Sequence, residues 1–205
     1  MWPFPAKSQR AHNMEKDIKR VKDLAESQVS GKGLLRHRGD FPRLDQIIGE
    51  AKQEIWVSGI TLDIMATLTG LFQQKAKEGV KIRFLGVTPD GNSGEEVASY
   101  FGFDKDEIVV RITANLNTLY SRVVHDFPQS VALRTTTHRL ASGYFIIDPD
   151  SDQGHMTITE YFYQIQDSHW SPVLFLSKRT DSHWFTLYLK NFKRLWDSAA
   201  EWTPG

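Results

Sequence analysis

Two short turns carry the residue types best suited to binding an anion. Ser58 and Gly59 close an apolar run and Thr61 follows them, while Lys178 and Arg179 stand just ahead of the last helical segment. Hydroxyls, cations and backbone N–H groups near a helix N-terminus suit a phosphate. Ligands of open α/β sheets bind beyond the carboxyl ends of strands, so we expect one phosphate pocket built from both turns. Two solvated turns that cap helices are the alternative.

Four further polar residues are predicted at the rim of this pocket. Asp148 follows a strand pattern, Arg134 and His138 precede it, and His183 begins the last helix beside the cationic turn. Their affinity for a phosphate-bearing ligand would come from charge-assisted hydrogen bonds. Binding is therefore expected to weaken as salt is added.

Alternating strand and helix patterns would position these turns. A buried strand at 54–59, a helix at 62–78 and a strand at 80–86 predict a βαβ unit with parallel strands and a right-handed crossover. Helices are also predicted at 14–28, 42–51, 93–101, 107–125 and 182–202, and strands at 131–136, 144–148, 155–164 and 173–176. The last helix carries an aromatic stripe, from Trp184 to Trp196, that is typical of core packing. These patterns predict one α/β domain over residues 31–205, preceded by an N-terminal arm and helix over residues 1–30.

The order of these elements resembles a phospholipase D-like domain over residues 40–200. Residues 54–60, the helix that follows them and residues 79–85 resemble the opening half of that domain. Residues 143–148 resemble its second landmark strand, and residues 172–176 with the last helix resemble its closing strand and helix. The resemblance implies a mixed sheet flanked by helices, here with an N-terminal helical extension. It also implies a homodimer, because the family commonly pairs two such halves face to face.

The catalytic signature of this family is degenerate in the chain. The signature is His-x-Lys, four residues and then Asp, in which the His attacks phosphorus and the Lys holds the phosphate oxygens. Alignment on Asp148 puts Ala141 at the His position and Gly143 at the Lys position. A methyl group cannot replace an imidazole nucleophile. The resemblance therefore implies a module that binds a nucleotide, a nucleic acid or a lipid headgroup, as in bacterial regulation or defence.

Two other functions stay open at this stage. His138 lies ten residues before Asp148, and a loop insertion could return it to the site with Arg139 in place of the Lys. The chain would then be a phosphodiesterase or nuclease that uses His138 from each subunit of a dimer. A structural adaptor would instead dock a partner through the aromatic last helix or the N-terminal arm.

The composition excludes several classes of protein. Lys plus Arg and Asp plus Glu number 25 each, so a strongly basic nucleic-acid binder is not indicated, although a local basic patch is possible. The chain has no cysteine, which excludes disulfides, thiolate metal sites and cysteine nucleophiles.

The remaining expectations concern metal, cofactor and location. The seven histidines show no His-x-x-x-His spacing, and we expect no metal and no cofactor. No apolar run is long enough to cross a bilayer and no signal-peptide pattern is present, which favours the cytoplasm. Peripheral membrane contact through the N-terminal arm is a minor alternative.

Overall fold

The structure is a computed structural model that describes residues 35–36, 42–165 and 171–205. These residues form an eight-stranded mixed sheet with helices on both faces. The predicted α/β class, a mixed sheet flanked by helices, is thereby confirmed. The arm and helix predicted over residues 1–30, and the membrane contact suggested for the arm, lie outside the described residues. Within the described ranges, no helix combines the length and apolar composition that crossing a bilayer requires.

The described strands and helices have the following bounds. The strands are β1 (Leu35–Arg36), β2 (Glu54–Ser58), β3 (Lys81–Val87), β4 (Val131–Thr136), β5 (Ser142–Ile147), β6 (His155–Glu160), β7 (Val173–Ser177) and β8 (Ala200–Glu201). The helices are α1 (Leu44–Glu50), α2 (Asp63–Thr67), α3 (Thr69–Lys77), α4 (Asn92–Phe101), α5 (Lys105–Leu119), which continues into a π-helical turn (Tyr120–Val124), and α6 (Ser182–Ser198).

The sheet order is β1-β7-β6-β5-β2-β3-β4-β8, and its strands do not all run the same way. β2, β3 and β4 are parallel, whereas every other neighbouring pair is antiparallel. We call the end where β2, β3 and β4 finish the upper end, and the opposite end the lower end. β5 and β7 therefore finish at the lower end. The five residues of β2 separate the two ends by about 13 Å.

Two predicted helices differ from the observed ones. The helix expected at 62–78 is divided into α2 and α3 at Leu68, whose φ of −102° and ψ of 18° are not helical. Thr67, Thr69 and Gly70 surround this point and are all weak helix formers. The last helix ends at Ser198 rather than 202, because Ala199 is extended and the chain then pairs with β4 as β8.

The side chains of alternate residues in the central strands pack into two separate hydrophobic cores. Ile55 and Val57 of β2 belong to a first core under α1 to α5, whereas Trp56 belongs to a second core under α6. In the second core the ring of Trp56 lies 5.3 Å from that of Phe192. Most of the predicted aromatic stripe of α6 is packed as expected, but Trp184 is 51% exposed and Phe185 is buried instead.

Candidate functional site: a cavity at the upper end of the sheet

A cavity of about 470 Å³ opens at the upper end, next to β2, β5 and β6. This volume lies within the range of small-molecule binding sites, and a mostly apolar wall with a few polar groups is usual for them. The apolar wall consists of Leu44, Val57, Ile60, Leu62, Ile64, Met65, Phe101, Phe103, Phe145 and Ile165. The polar residues that line it are Ser58, Thr61, Asp63, Arg111, Tyr144, Thr157, Thr159, Tyr161 and Ser171. Of these, Tyr144 packs its ring in the second core, where Asn191 donates to its hydroxyl.

A hydrogen-bonded network centred on Asp63 forms one wall of the cavity. Arg111 donates from Nε and Nη2 to the two carboxylate oxygens of Asp63, each at 2.8 Å. Asn115 donates to Asp63 Oδ1 at 2.6 Å and to the carbonyl of Thr61 at 2.9 Å, and the Thr61 hydroxyl also donates to Asp63. Arg111 and Asn115 reach the same partner because they lie one helical turn apart on α5.

The hydrogen bonds of this network stabilise the charged forms of Asp63 and Arg111. Burial on its own raises the pKa of Asp63, but the hydrogen bonds from Arg111, Thr61 and Asn115 outweigh it, so the pKa lies below its usual value. The hydrogen bond to Asp63 in turn raises the pKa of Arg111. The side chain of Arg111 is 44% exposed, and within the described part of the chain its Nη1 has no hydrogen-bond partner. A ligand in the cavity can therefore reach the guanidinium.

Tyr161 fills the space beside two glycines of the cavity wall. A Cβ on Gly143 would lie 2.5 Å from Tyr161 Oη, and a Cβ on Gly59 would lie 3.6 Å from it. The backbone N–H of Tyr161 donates to the carbonyl of Ala141 at 3.1 Å. A tyrosine hydroxyl thus occupies the space next to the position at which the family resemblance expects a lysine.

The first predicted turn lies at the cavity, but its role differs from the prediction. Ser58, Gly59 and Thr61 all line the cavity. The N–H of Gly59 donates to the carbonyl of Leu85 at 3.1 Å, and Ser58 Oγ accepts from the N–H of Tyr144 at 3.1 Å. These bonds tie β2 to its two neighbours, so the Gly59 N–H is not available to an anion.

The second predicted turn is at the other end of the sheet. β7 runs opposite to β2, so Lys178, Arg179 and His183 lie at the lower end, and the structure does not bring them together with Ser58 and Gly59. Lys178 Nζ donates to the carbonyls of Pro149 and Asp150 at 3.2 and 2.9 Å. Arg179 and His183 are exposed. A single pocket from both turns would have required β2 and β7 to be parallel.

Asp148 is also at the lower end, where its role is structural. It is 8% exposed, and its carboxylate accepts three backbone N–H groups, those of Lys52, Gln53 and Glu54, at 2.7 to 3.0 Å. Asp148 has a positive φ of 46°, which Asp tolerates better than most residues. The carboxylate thus holds the end of β5 against the start of β2, and it does not line the upper cavity.

Arg134 and His138 lie outside the cavity as well. Arg134 belongs to the other face of the sheet, where its guanidinium lies 4.8 Å from the Trp196 ring and donates to the Trp196 carbonyl at 3.1 Å. His138 is exposed in the loop after β4, and its N–H donates to Thr136 Oγ1 at 3.1 Å. His138 comes two residues after the end of β4, whereas Ala141 directly precedes β5, and His138 is not among the residues that line the cavity.

The sequence did not reveal four residues of this site, namely Asp63, Arg111, Asn115 and Tyr161. The spacing of Arg111 and Asn115 puts both on one side of α5, which is a usable signal. Their partner Asp63 is 48 residues from Arg111, and only the packing of α5 over the sheet brings the pair together. Among the described residues, no three acidic or histidine side chains are grouped as a metal site would require.

Comparisons with known proteins give a likeness of fold. No family model and no curated protein matches the chain. TrmBL2, an archaeal chromatin protein described as showing a novel mode of DNA binding, is similar with a TM-score of 0.51 and 11% identity over 95% of this chain and 66% of that one. Nuc from Salmonella typhimurium, a phospholipase D family member, gives a TM-score of 0.44 and 14% identity over 78% of this chain and 88% of that one. The chain thus shares its fold with TrmBL2, while spanning about two thirds of that protein's length.

Proposed function

We propose that this chain is a non-catalytic module that binds a phosphate-bearing ligand in the upper-end cavity. One observation carries the proposal: an open cavity is lined by Gly143, the residue that the family resemblance aligns with the catalytic lysine. The same alignment puts Ala141 at the position of the nucleophile, and the Tyr161 hydroxyl takes up the space beside Gly143. The cavity thus leaves room for a ligand, but its described wall lacks the histidine and lysine side chains that would act on it.

Arg111 supplies the positive charge that the proposal needs. It lines the cavity, it is half-exposed, and a guanidinium fork matches two oxygens of a phosphate. It takes the place of Lys178 and Arg179, which lie at the lower end. The hydroxyls of Thr157 and Thr159 offer further hydrogen bonds to a ligand.

A binding panel tests the proposal. The probes are a nucleoside monophosphate, a single-stranded DNA oligonucleotide and vesicles that contain an anionic phospholipid. DNA is included because TrmBL2, which shares the fold, is described as binding DNA. Calorimetric titration is expected to show saturable binding of at least one probe, weakened by salt. Failure of all three probes to bind would contradict the proposal.

A turnover assay tests the non-catalytic part. The protein is incubated without metal with bis-p-nitrophenyl phosphate and with single-stranded DNA, beside His138→Ala and, as a matched control, His125→Ala, which changes an exposed histidine outside that loop. We expect no turnover above the buffer rate in any sample. Turnover that His138→Ala abolishes and His125→Ala preserves would show a working hydrolase instead.

The proposal includes a homodimer, which the family resemblance implies. Sedimentation equilibrium is expected to give about twice the chain mass of 23.5 kDa. A monomer at all concentrations would remove the dimer from the proposal without affecting the cavity.

A further inference from the structure

We infer that the ligand is a nucleoside monophosphate, and that its single phosphate takes the Arg111 guanidinium from Asp63. This inference rests on the proposed function of the cavity. It selects one class of ligand and assigns Asp63 the role of a built-in competitor.

The charge of the cavity wall limits the number of phosphates. Among the lining residues that the structure describes, Arg111 is the cation and Asp63 is the anion. Each phosphate of a nucleic-acid strand or a polyphosphate brings a negative charge, and proteins that bind several phosphates neutralise them with several Lys or Arg residues. One guanidinium that already faces a carboxylate suits one phosphate.

The rest of the wall fits a nucleoside. Phe103 presents a half-buried aromatic ring on one part of the wall, 6.0 Å from the Arg111 guanidinium, whereas Phe101 is 5% exposed and packs against other aromatic rings. Aromatic side chains stack on any base because every base has a π-face. Thr157 and Thr159 present hydroxyls from β6, which can pair with the hydroxyls of a ribose. A ligand with an aromatic end, a hydroxylated middle and one phosphate uses all three features.

The Asp63–Arg111 pair is built so that one partner can be exchanged. A guanidinium fork binds one planar acceptor at a time through Nε and Nη2, and Asp63 now holds both. Both side chains are partly exposed, at 34% for Asp63 and 44% for Arg111. If a phosphate takes the fork, Asp63 keeps the hydrogen bonds from Thr61 and Asn115. The carboxylate is therefore not left without donors, which makes the exchange feasible.

Calorimetric titration of the four nucleoside 5′-monophosphates into the full chain tests the exchange. Arg111→Gln is expected to weaken binding by about ten-fold or more, the scale of a lost charge-assisted hydrogen bond. Asp63→Asn removes the competing charge and is expected to tighten binding by about three-fold to ten-fold. Weaker binding by Asp63→Asn would mean that Asp63 only supports the wall, and would overturn the exchange.

Arg139→Gln is the matched control for the loss of a guanidinium. Arg139 lies at the same end of the sheet, 4.1 Å from the Tyr100 ring and 3.9 Å from Glu96, but outside the cavity wall. The Arg139→Gln variant is expected to bind the nucleotides with the same affinity as the unmodified chain. Arg111→Lys keeps the charge without the fork and is expected to bind between Arg111→Gln and the unmodified chain. Circular dichroism and thermal unfolding establish that each variant is folded.

Competing probes separate the inference from the proposed function. Adenosine, pyrophosphate, a single-stranded DNA oligonucleotide and anionic vesicles are each compared with AMP, and AMP is expected to bind most tightly. If the DNA, pyrophosphate or the vesicles bind instead, through Arg111, the monophosphate assignment is wrong while the proposed function stands. If none of the probes binds, the proposed function fails and the inference fails with it.

Discussion

The two ends of the sheet treat their charged residues in opposite ways. At the lower end, backbone groups satisfy the charges: three N–H groups bind Asp148, and two carbonyls accept from Lys178. At the upper end, Asp63 and Arg111 bind each other through half-exposed side chains beside a cavity. Backbone partners are fixed by the fold, whereas a side-chain partner can be exchanged for a ligand. We therefore expect the lower end to contribute to stability, and the upper end to hold the ligand of the proposed function.

Strand β5 joins these two roles in one short segment. Gly143 stands near its upper end and Asp148 follows its lower end. Gly143 lines the upper cavity, whereas the Asp148 carboxylate accepts three backbone N–H groups at the start of β2.

The largest expected effect is that of Asp148→Ala. The substitution leaves three backbone N–H groups of a partly buried turn without their acceptor, and we expect the free energy of unfolding to fall by about 3 kcal/mol or more. Asp148→Asn keeps an acceptor oxygen and tolerates the positive φ, so its loss is expected to be smaller. Urea denaturation measures both values. If Asp148→Ala lowered the free energy of unfolding by less than about 1 kcal/mol, the structural role of Asp148 at the lower end would be contradicted.

Gly143→Ala is expected to have the next largest effect. Its Cβ would lie 2.5 Å from Tyr161 Oη and 3.3 Å from the carbonyl oxygen of Ser58, and overpacking of this kind costs about 1–3 kcal/mol. In a Tyr161→Phe background the hydroxyl is gone, so the same substitution is expected to cost less. Urea denaturation of the four chains of this double-mutant cycle measures the coupling. Additive losses would show that Tyr161 does not fill the space of residue 143.

The pH dependence of stability probes the upper-end pair. The pKa of Asp63 is lower in the folded chain than its usual value, so the pair stabilises the fold above about pH 4 and this stability is lost as the pH falls through the folded pKa. Because the side chains are partly exposed, the contribution is expected to be about 1 kcal/mol or less. Urea denaturation from pH 6 to pH 3 is expected to show a steeper loss for the unmodified chain than for Asp63→Asn. Equal slopes would contradict the ionic pair.

The smallest expected effect is that of Lys178→Met. The ammonium donates to two carbonyls near the surface, and we expect its loss to lower the free energy of unfolding by about 0.5–1 kcal/mol. Nucleotide affinity is expected to stay the same, because Lys178 lies at the lower end. If Lys178→Met instead lowered nucleotide affinity markedly with little loss of stability, the ligand would bind at the lower end rather than the upper end.

The sequence predicted those features that depend on neighbouring residues. The pattern around residues 54–86 is local, and the parallel pair β2–β3 and the position of Ser58, Gly59 and Thr61 at a cavity agree with it. The direction of β7 depends on the hairpins before it, so the position of Lys178 could not be inferred from its own turn. The contact between Asp63 and Arg111 depends on how α5 packs, which the pattern of α5 alone does not specify.

A crystal structure of the chain with AMP bound would show which residues hold the phosphate. We expect the phosphate within hydrogen-bond distance of the Arg111 guanidinium, with Asp63 retaining Thr61 and Asn115 as its donors. A phosphate found instead against Lys178 and Arg179 at the lower end would contradict this expectation.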